Sequence, residues 1–331
     1  MLGVIFSLLS AATFALNAAA ARRAVLSGTV LQGLMVTVPI GVPLFGLLML
    51  ATGQAGQLAD FPAAAWFWFA AAGVVHFVIG RYGNYASSAA IGTNLAAPIL
   101  QTEVLVTLAL AMFLLGEELT PLRALGIALV LLGPSLVAGG QDARRKSVGE
   151  VEAAAKKSEF QPRYAEGYAF AALAAVAYGL SPICIGLGLK AAGGSGAIAG
   201  GFVSYCAGAL LVGAILIVIR APASTFRLDR SALKWFGFAG LIVFLSQAFR
   251  YAAMALAPVS VVTALQRLSS LFRIYFGWAI NREHEVFDSS VILATVVSMI
   301  GAMALSISTE TFLSLADWPD WLVGLARFKW P

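Results

Sequence analysis

The chain has 331 residues and a formal charge of +5, and it is 60% hydrophobic and only 11% charged, against the roughly 25% charged residues of a soluble globular domain. That balance excludes an ordinary water-soluble fold and makes the lipid bilayer the expected surroundings. The 21 Lys and Arg residues are scattered over the chain instead of forming one basic domain, which argues against a nucleic-acid partner.

In chain order, ten apolar stretches come close to the roughly 20 residues that a helix needs to cross a hydrocarbon core of about 30 Å. They cover approximately 3–21, 29–51, 64–85, 91–115, 121–140, 166–190, 197–219, 234–256, 259–280 and 287–308. Mostly short connections make successive helices antiparallel neighbours. The first stretch lacks the basic residues that open a signal peptide, so it is expected to remain as the first span. Residues 141–165 mix both charge signs with Ala and read as a solvated linker. Over 309–331, Trp318, Trp321, Phe328 and Trp330 stand beside Asp320, Arg327 and Lys329, a mixture suited to an interfacial amphipathic segment. Cys184 and Cys206 lie in separate apolar stretches without metal-ligand spacing, so packing is the expected role.

Three landmarks recur in order. G-V-I-F-S-L-L-S from Gly3 matches G-Y-A-F-A-A-L-A from Gly167, pairing Phe14 with Tyr178. W-F-W-F-A from Trp66 and W-F-G-F-A from Trp235 precede Arg81-Tyr82 and Arg250-Tyr251, each pair offset by 169 residues. Glu117 precedes Gly133 by 16 residues, as Glu285 precedes Gly301. The expected fold is therefore an all-α polytopic membrane protein of ten transmembrane helices, as two five-helix repeats over 1–140 and 166–308. An odd number of spans per repeat inverts the second half, and inverted repeats in transporters hold their substrate near the midplane between them.

At these residues the sequence resembles the EamA-like, ten-helix members of the drug/metabolite transporter superfamily. The resemblance covers about residues 1–308 and rests on the five-plus-five layout and on L-L-G-E-E-L-T-P-L-R from Leu114, with N-R-E-H-E-V-F-D from Asn281 as a more divergent counterpart. Gly116, Glu117 and Gly133 match the family's Gly-Glu opening and its Gly near the end of the last helix of a half. His284 replaces the Gly in the second half. The resemblance implies secondary transport of metabolites, amino acids or drugs, and names no substrate or cofactor.

Ionisable residues inside spans cost about 2.5–3.5 kcal/mol each near a helix centre and mark protein-facing or wet positions. Glu103 is the one acidic residue deep within a span, beside Gln101 and Thr102, and is either a proton site or half of a structural ion pair. Arg81 and Arg250 occupy equivalent repeat positions towards span ends, where they could snorkel or bind helix-end carbonyls. Arg267 and Arg273 align with apolar residues of the fourth helix, and Glu103 with an apolar residue of the ninth. Such symmetry breaking favours a substrate role, with Arg267 and neighbouring Gln266 the first choice for a carboxylate or phosphate and a salt bridge to Glu103 as the competing role. Arg267 and Arg273, six residues apart, should not share a helix face. His76 is either a proton relay or a packed core histidine. Asn17 and Ser181 are expected to bond between helices.

The net intramembrane charge favours an anionic or zwitterionic, amino-acid-like metabolite, with export the expected direction and proton coupling open. A small-multidrug-like exporter of lipophilic cations using Glu103 is the alternative. A membrane-embedded enzyme is less favoured, since the sequence has no H-E-x-x-H, G-x-x-x-x-G-K-[ST] or G-x-S-x-G and only two histidines, His76 and His284. Thirteen of the 21 basic residues, Arg22 and Arg23 among them, fall in loops after odd-numbered helices and four in the others, which by the positive-inside rule puts both termini outside. The family resemblance implies the reverse. A C-terminal tag should accordingly be removed by protease added to intact cells, and a protected tag would overturn the charge-based orientation.

Overall fold

The computed structural model describes residues 2–115, 120–122, 124–132, 136, 162–257, 262, 265–285, 287–306, 310, 313–314 and 317–327. Every regular element among them is a helix. In chain order these are α1 (Leu2–Val25), α2 (Val30–Thr37), α3 (Gly41–Ala51), α4 (Gln57–Asp60), α5 (Ala63–Gly73), a π-helix (Val74–Gly80), α6 (Arg81–Leu100), α7 (Glu103–Leu115), α8 (Tyr164–Ala191), α9 (Ala197–Val218), α10 (Arg230–Leu256), α11 (Ser269–Asn281), α12 (Ser289–Ser306) and α13 (Asp320–Ala326). Residues 124–132 are also helical. Six of the described helical runs are long and apolar enough to cross a membrane. The Gly116-Glu117 motif, Gly133 and residues 141–161 of the expected linker lie outside the described residues.

Local sequence accounts for where these helices start and stop. Thr29 caps α2 reciprocally with Gln32: the Thr29 hydroxyl accepts from the Gln32 amide at 3.2 Å, and the Gln32 side-chain oxygen accepts from the Thr29 amide at 2.9 Å. Pro39 has no amide hydrogen, and the chain turns at residues 38–40 between α2 and α3, so the expected 29–51 span is an interrupted one.

From Ala63 to Leu100 the helical run spans 38 residues. At 1.5 Å per residue a straight helix of that length would reach roughly 57 Å, about twice a hydrocarbon core. Gly92 divides it. Its φ of 81° and ψ of 165° lie in a region open essentially to glycine alone, and the chain changes direction there.

Two further interruptions sit inside expected spans. A turn at Gln101–Thr102 separates α6 from α7, three residues after Pro98, and a turn at Arg267–Leu268 precedes α11. Their backbone bonds correspond one for one. Thr102, Val104 and Leu105 amides donate to the carbonyls of Ile99, Gln101 and Thr102; Leu268, Ser270 and Leu271 amides donate to those of Leu265, Arg267 and Leu268. The offset is 166 residues in every case. In that backbone register Arg267 is matched by Gln101 and Glu103 by Ser269, both polar, where the sequence comparison pairs each with an apolar residue.

Packing crosses between the two halves of the chain. α1 lies along α10 and α11, while α8 lies along α5, α6 and α7. Ser10 and Ser246 join α1 to α10 reciprocally, each hydroxyl donating to the other's carbonyl at 2.9 and 3.0 Å. α9 packs on α5 so closely that a Cβ on Gly73 would lie 1.9 Å from the Ser204 carbonyl oxygen. Because the obstacle is backbone, it cannot rotate away. Gly73→Ala should therefore cost about 1–3 kcal/mol of stability and lower the melting temperature in detergent, whereas Gly213→Ala, where a Cβ meets nothing within 4 Å, should leave it within error.

Candidate functional site

The two matching turns bring their polar side chains together. Arg267 donates to Glu103 in an ion pair whose side chains are 10% and 18% exposed. Gln101 is buried, and its amide nitrogen donates to the Ser270 hydroxyl at 2.6 Å and towards the Arg267 carbonyl at 3.4 Å. Each interruption thus finds its partner on the other. The salt bridge weighed against a substrate role for Arg267 is the arrangement present, and Gln266 turns elsewhere, donating to the Ser10 hydroxyl at 3.2 Å.

Beside this pair lies a cavity of about 20 Å³, enough for a water or two. Gln101, Glu103, Ser269, Ser270 and Arg273 supply its polar wall, and Phe14, Ala97, Leu100 and Tyr178 its apolar one. α7 and α11 both begin at this wall. Phe14 and Tyr178, matched by the sequence repeat, meet here edge to face at 6.0 Å. Arg273 is 4% exposed, lies over the Phe14 ring at 5.2 Å, and its Nη1 has no hydrogen-bond partner among the described residues. Arg273 lines the cavity and Arg267 does not, consistent with the expectation that the two would not share a face.

A second polar cluster sits on the π-helix. π-helical turns widen a helix and recur at functional positions. His76 is buried there, with Nε2 3.1 Å from the Gln247 amide nitrogen, Nδ1 3.5 Å from Arg250 Nη1, and its ring 4.7 Å from that of Tyr178. An arginine can only donate, so Nδ1 accepts and Nε2 carries the proton. That proton needs an acceptor, and turning the Gln247 amide over supplies its oxygen. Arg81 donates to the Thr37 carbonyl at 2.9 Å, at the end of α2, and lies beside the stacked rings of Phe77 and Tyr205, 5.0 and 5.8 Å from their centroids. At 3% and 7% exposure, Arg81 and Arg250 do not snorkel; Arg81 takes the helix-end role, and Arg250 turns inward to His76.

The most completely enclosed carboxylate is one that the sequence offered only as a repeat landmark. Glu285 accepts from the Thr93 amide at 2.7 Å, the Thr93 hydroxyl at 2.6 Å and the Asn94 amide at 3.0 Å, satisfying the helix start that Gly92 creates. Arg22 lies 3.9 Å away and donates to the carbonyls of Ser88 and Ala89 and to that of His284. Burial pushes the Glu285 carboxyl above its ordinary value, while Asn94, Thr93 and Arg22 draw it back. Arg22 is fully buried near the end of α1, which corrects its assignment to a charge-bearing loop. The Gly-Thr-Asn sequence inside an apolar stretch was the available signal, since it combines a chain reversal with a capping residue. Asn17 and Ser181 are both buried, and each has an oxygen without a partner among the described residues. Removing Glu285 would leave the buried helix-start amides without their acceptor and the Arg22 charge without its counter-charge. Glu285→Ala should cost about 3–5 kcal/mol, read as loss of folded protein by size-exclusion chromatography, and Glu285→Gln markedly less.

Residues 1–139 match the model of the EamA-like transporter family. No curated protein matches the chain. A solved crystal structure, described in print only as that of a protein, is similar over 92% of this chain and 96% of its own, with a TM-score of 0.59 at 14% identity. That likeness is one of fold. With its several long apolar helices, the chain is an integral, multi-pass membrane protein, and the match of residues 1–139 to the EamA-like transporter family supports a place among the drug/metabolite transporters.

Proposed function

We propose that this protein is a secondary transporter that carries a small organic metabolite with an anionic group by alternating access, through ten helices arranged as two inverted five-helix repeats. The observation that carries the reading is the pair of helix interruptions at Gln101–Thr102 and Arg267–Leu268, with equivalent backbone bonds and joined side chains. Discontinuous helices whose broken ends meet midway between repeats are how inverted-repeat transporters build substrate sites, because irregular backbone inside a bilayer is tolerated only where protein or a wet cavity satisfies it. The crossed packing supports the repeat as well. If α1 corresponds to α8 and α10 to α5, then α1 on α10 is the counterpart of α8 on α5, as a pseudo-twofold axis requires.

The balance of charge supports the anion. Arg267 and Glu103 neutralise each other, leaving Arg273 as the net charge on the cavity wall. A proton-coupled exporter of lipophilic cations would use Glu103, but that carboxylate is engaged by Arg267. Export is the proposed direction, with no cofactor and a proton gradient as the candidate driving force.

Proteoliposome uptake of pooled labelled amino acids, carboxylates and lipophilic cations, with and without a proton gradient, tests the reading. Saturable uptake from the anionic or zwitterionic pools is expected. Glu103→Gln and Arg267→Gln should each reduce it by about tenfold or more, and the double variant by less than either, since each single change strands one buried charge. Uptake of cations alone would reverse the assignment. No uptake from any pool by folded protein would sink the transport reading.

A further inference from the structure

The sequence favours Arg267 as the anion-binding residue, but the geometry points to a different one. We infer that Arg273 is the anchor for a single carboxylate group in the cavity between Phe14, Tyr178 and the start of α11, so that the ligand is a monocarboxylate with an apolar body. The inference rests on the proposal that this cavity is the substrate site.

Arg267 already has its acid. Arg273 is the cation on the cavity wall with an unused donor: its Nη1 has no partner among the described residues, and the side chain is 4% exposed. A guanidinium held there without an acceptor pays for its desolvation unless something enters to accept from it. Phe14 holds it on one side, its ring centroid 5.2 Å from the guanidinium carbon, and the N–H groups directed away from that ring are left for a ligand. Ser269 and Ser270, on the first turn of α11, line the same cavity and add hydroxyl donors.

The number of charges is equally constrained. With Glu103 and Arg267 cancelling, one net positive charge faces the space, which matches one negative charge. A phosphate dianion would need a second cation, and it would approach the Glu103 carboxylate, which lies on the same wall. The remaining wall of Phe14, Ala97, Leu100 and Tyr178 is apolar or aromatic and suits a hydrocarbon or aromatic body. In this conformation the cavity is about 20 Å³, room for a headgroup and not for a whole metabolite. The body must therefore enter when the helices part, and the carboxylate is what the closed form grips.

Thermal unfolding of the intact protein in detergent measures binding without requiring flux. Acetate, butyrate and phenylacetate should stabilise the wild type saturably, with the longer and aromatic acids acting at lower concentration. Acetamide, phenylacetamide and inorganic phosphate should not. Arg273→Gln should raise the half-saturating carboxylate concentration by about tenfold or more, and Arg282→Gln, outside the cavity, should not change it. Equal stabilisation by the amides or by phosphate, unchanged binding in Arg273→Gln, or no response to any carboxylate would each overturn the inference. If Arg273→Gln does not fold, the comparison of acids with amides on the wild type decides. Carboxylate binding without proteoliposome flux would remove the transport reading and leave this one. Carboxylate flux that persists in Arg273→Gln would do the opposite.

Discussion

A helix interrupted inside hydrocarbon exposes backbone donors and acceptors that no water can satisfy, and each such group left bare costs several kcal/mol. This chain interrupts its helices repeatedly, and a polar side chain from another part of the sequence meets several of the interruptions. Arg81 takes the Thr37 carbonyl where α2 ends. Glu285 takes the amides freed where Gly92 reverses the chain. Gln101 reaches the Arg267 carbonyl across the paired turns. Buried charge and broken backbone are thus two sides of one arrangement: the interruptions justify the polar residues, and those residues hold the interruptions in place.

Much of the outline was legible in the sequence because it depends on quantities that sum over many residues. Apolar length marked an all-helical, membrane-spanning chain, six of whose described helical runs are long enough to cross. The identity of the charged partners was partly legible too, since a Glu103–Arg267 salt bridge stood as the competing role to substrate binding. What escaped was what depends on local backbone geometry. The offset between halves is 164 residues at Phe14 and Tyr178, 169 at Arg81 and Arg250, and 166 at the two turns, so insertions of a few residues moved the comparison of Arg267 and Glu103 off register. A shift of three residues is most of a helical turn, enough to exchange a polar counterpart for an apolar one.

The same cause hid Glu285 and Arg22. Both sit at the edges of apolar stretches, where sequence treats charge as solvated, yet the break at Gly92 brings the start of a helix to Glu285, and both side chains are enclosed. Arg273 was visible as an intramembrane charge, but only the cation–π contact with Phe14 and the prior engagement of Arg267 separate their situations.

The crossed packing bears on how such a chain can be divided. Because α1 lies along α10 and is joined to it by the reciprocal Ser10–Ser246 bonds, and α8 lies along α5 and α6, the packed groups of helices draw on both halves of the polypeptide and do not coincide with either. Severing the chain in the segment between Leu132 and Pro162 would then yield two fragments, each missing the surface on which its first helix rests. Neither fragment would be a self-sufficient unit.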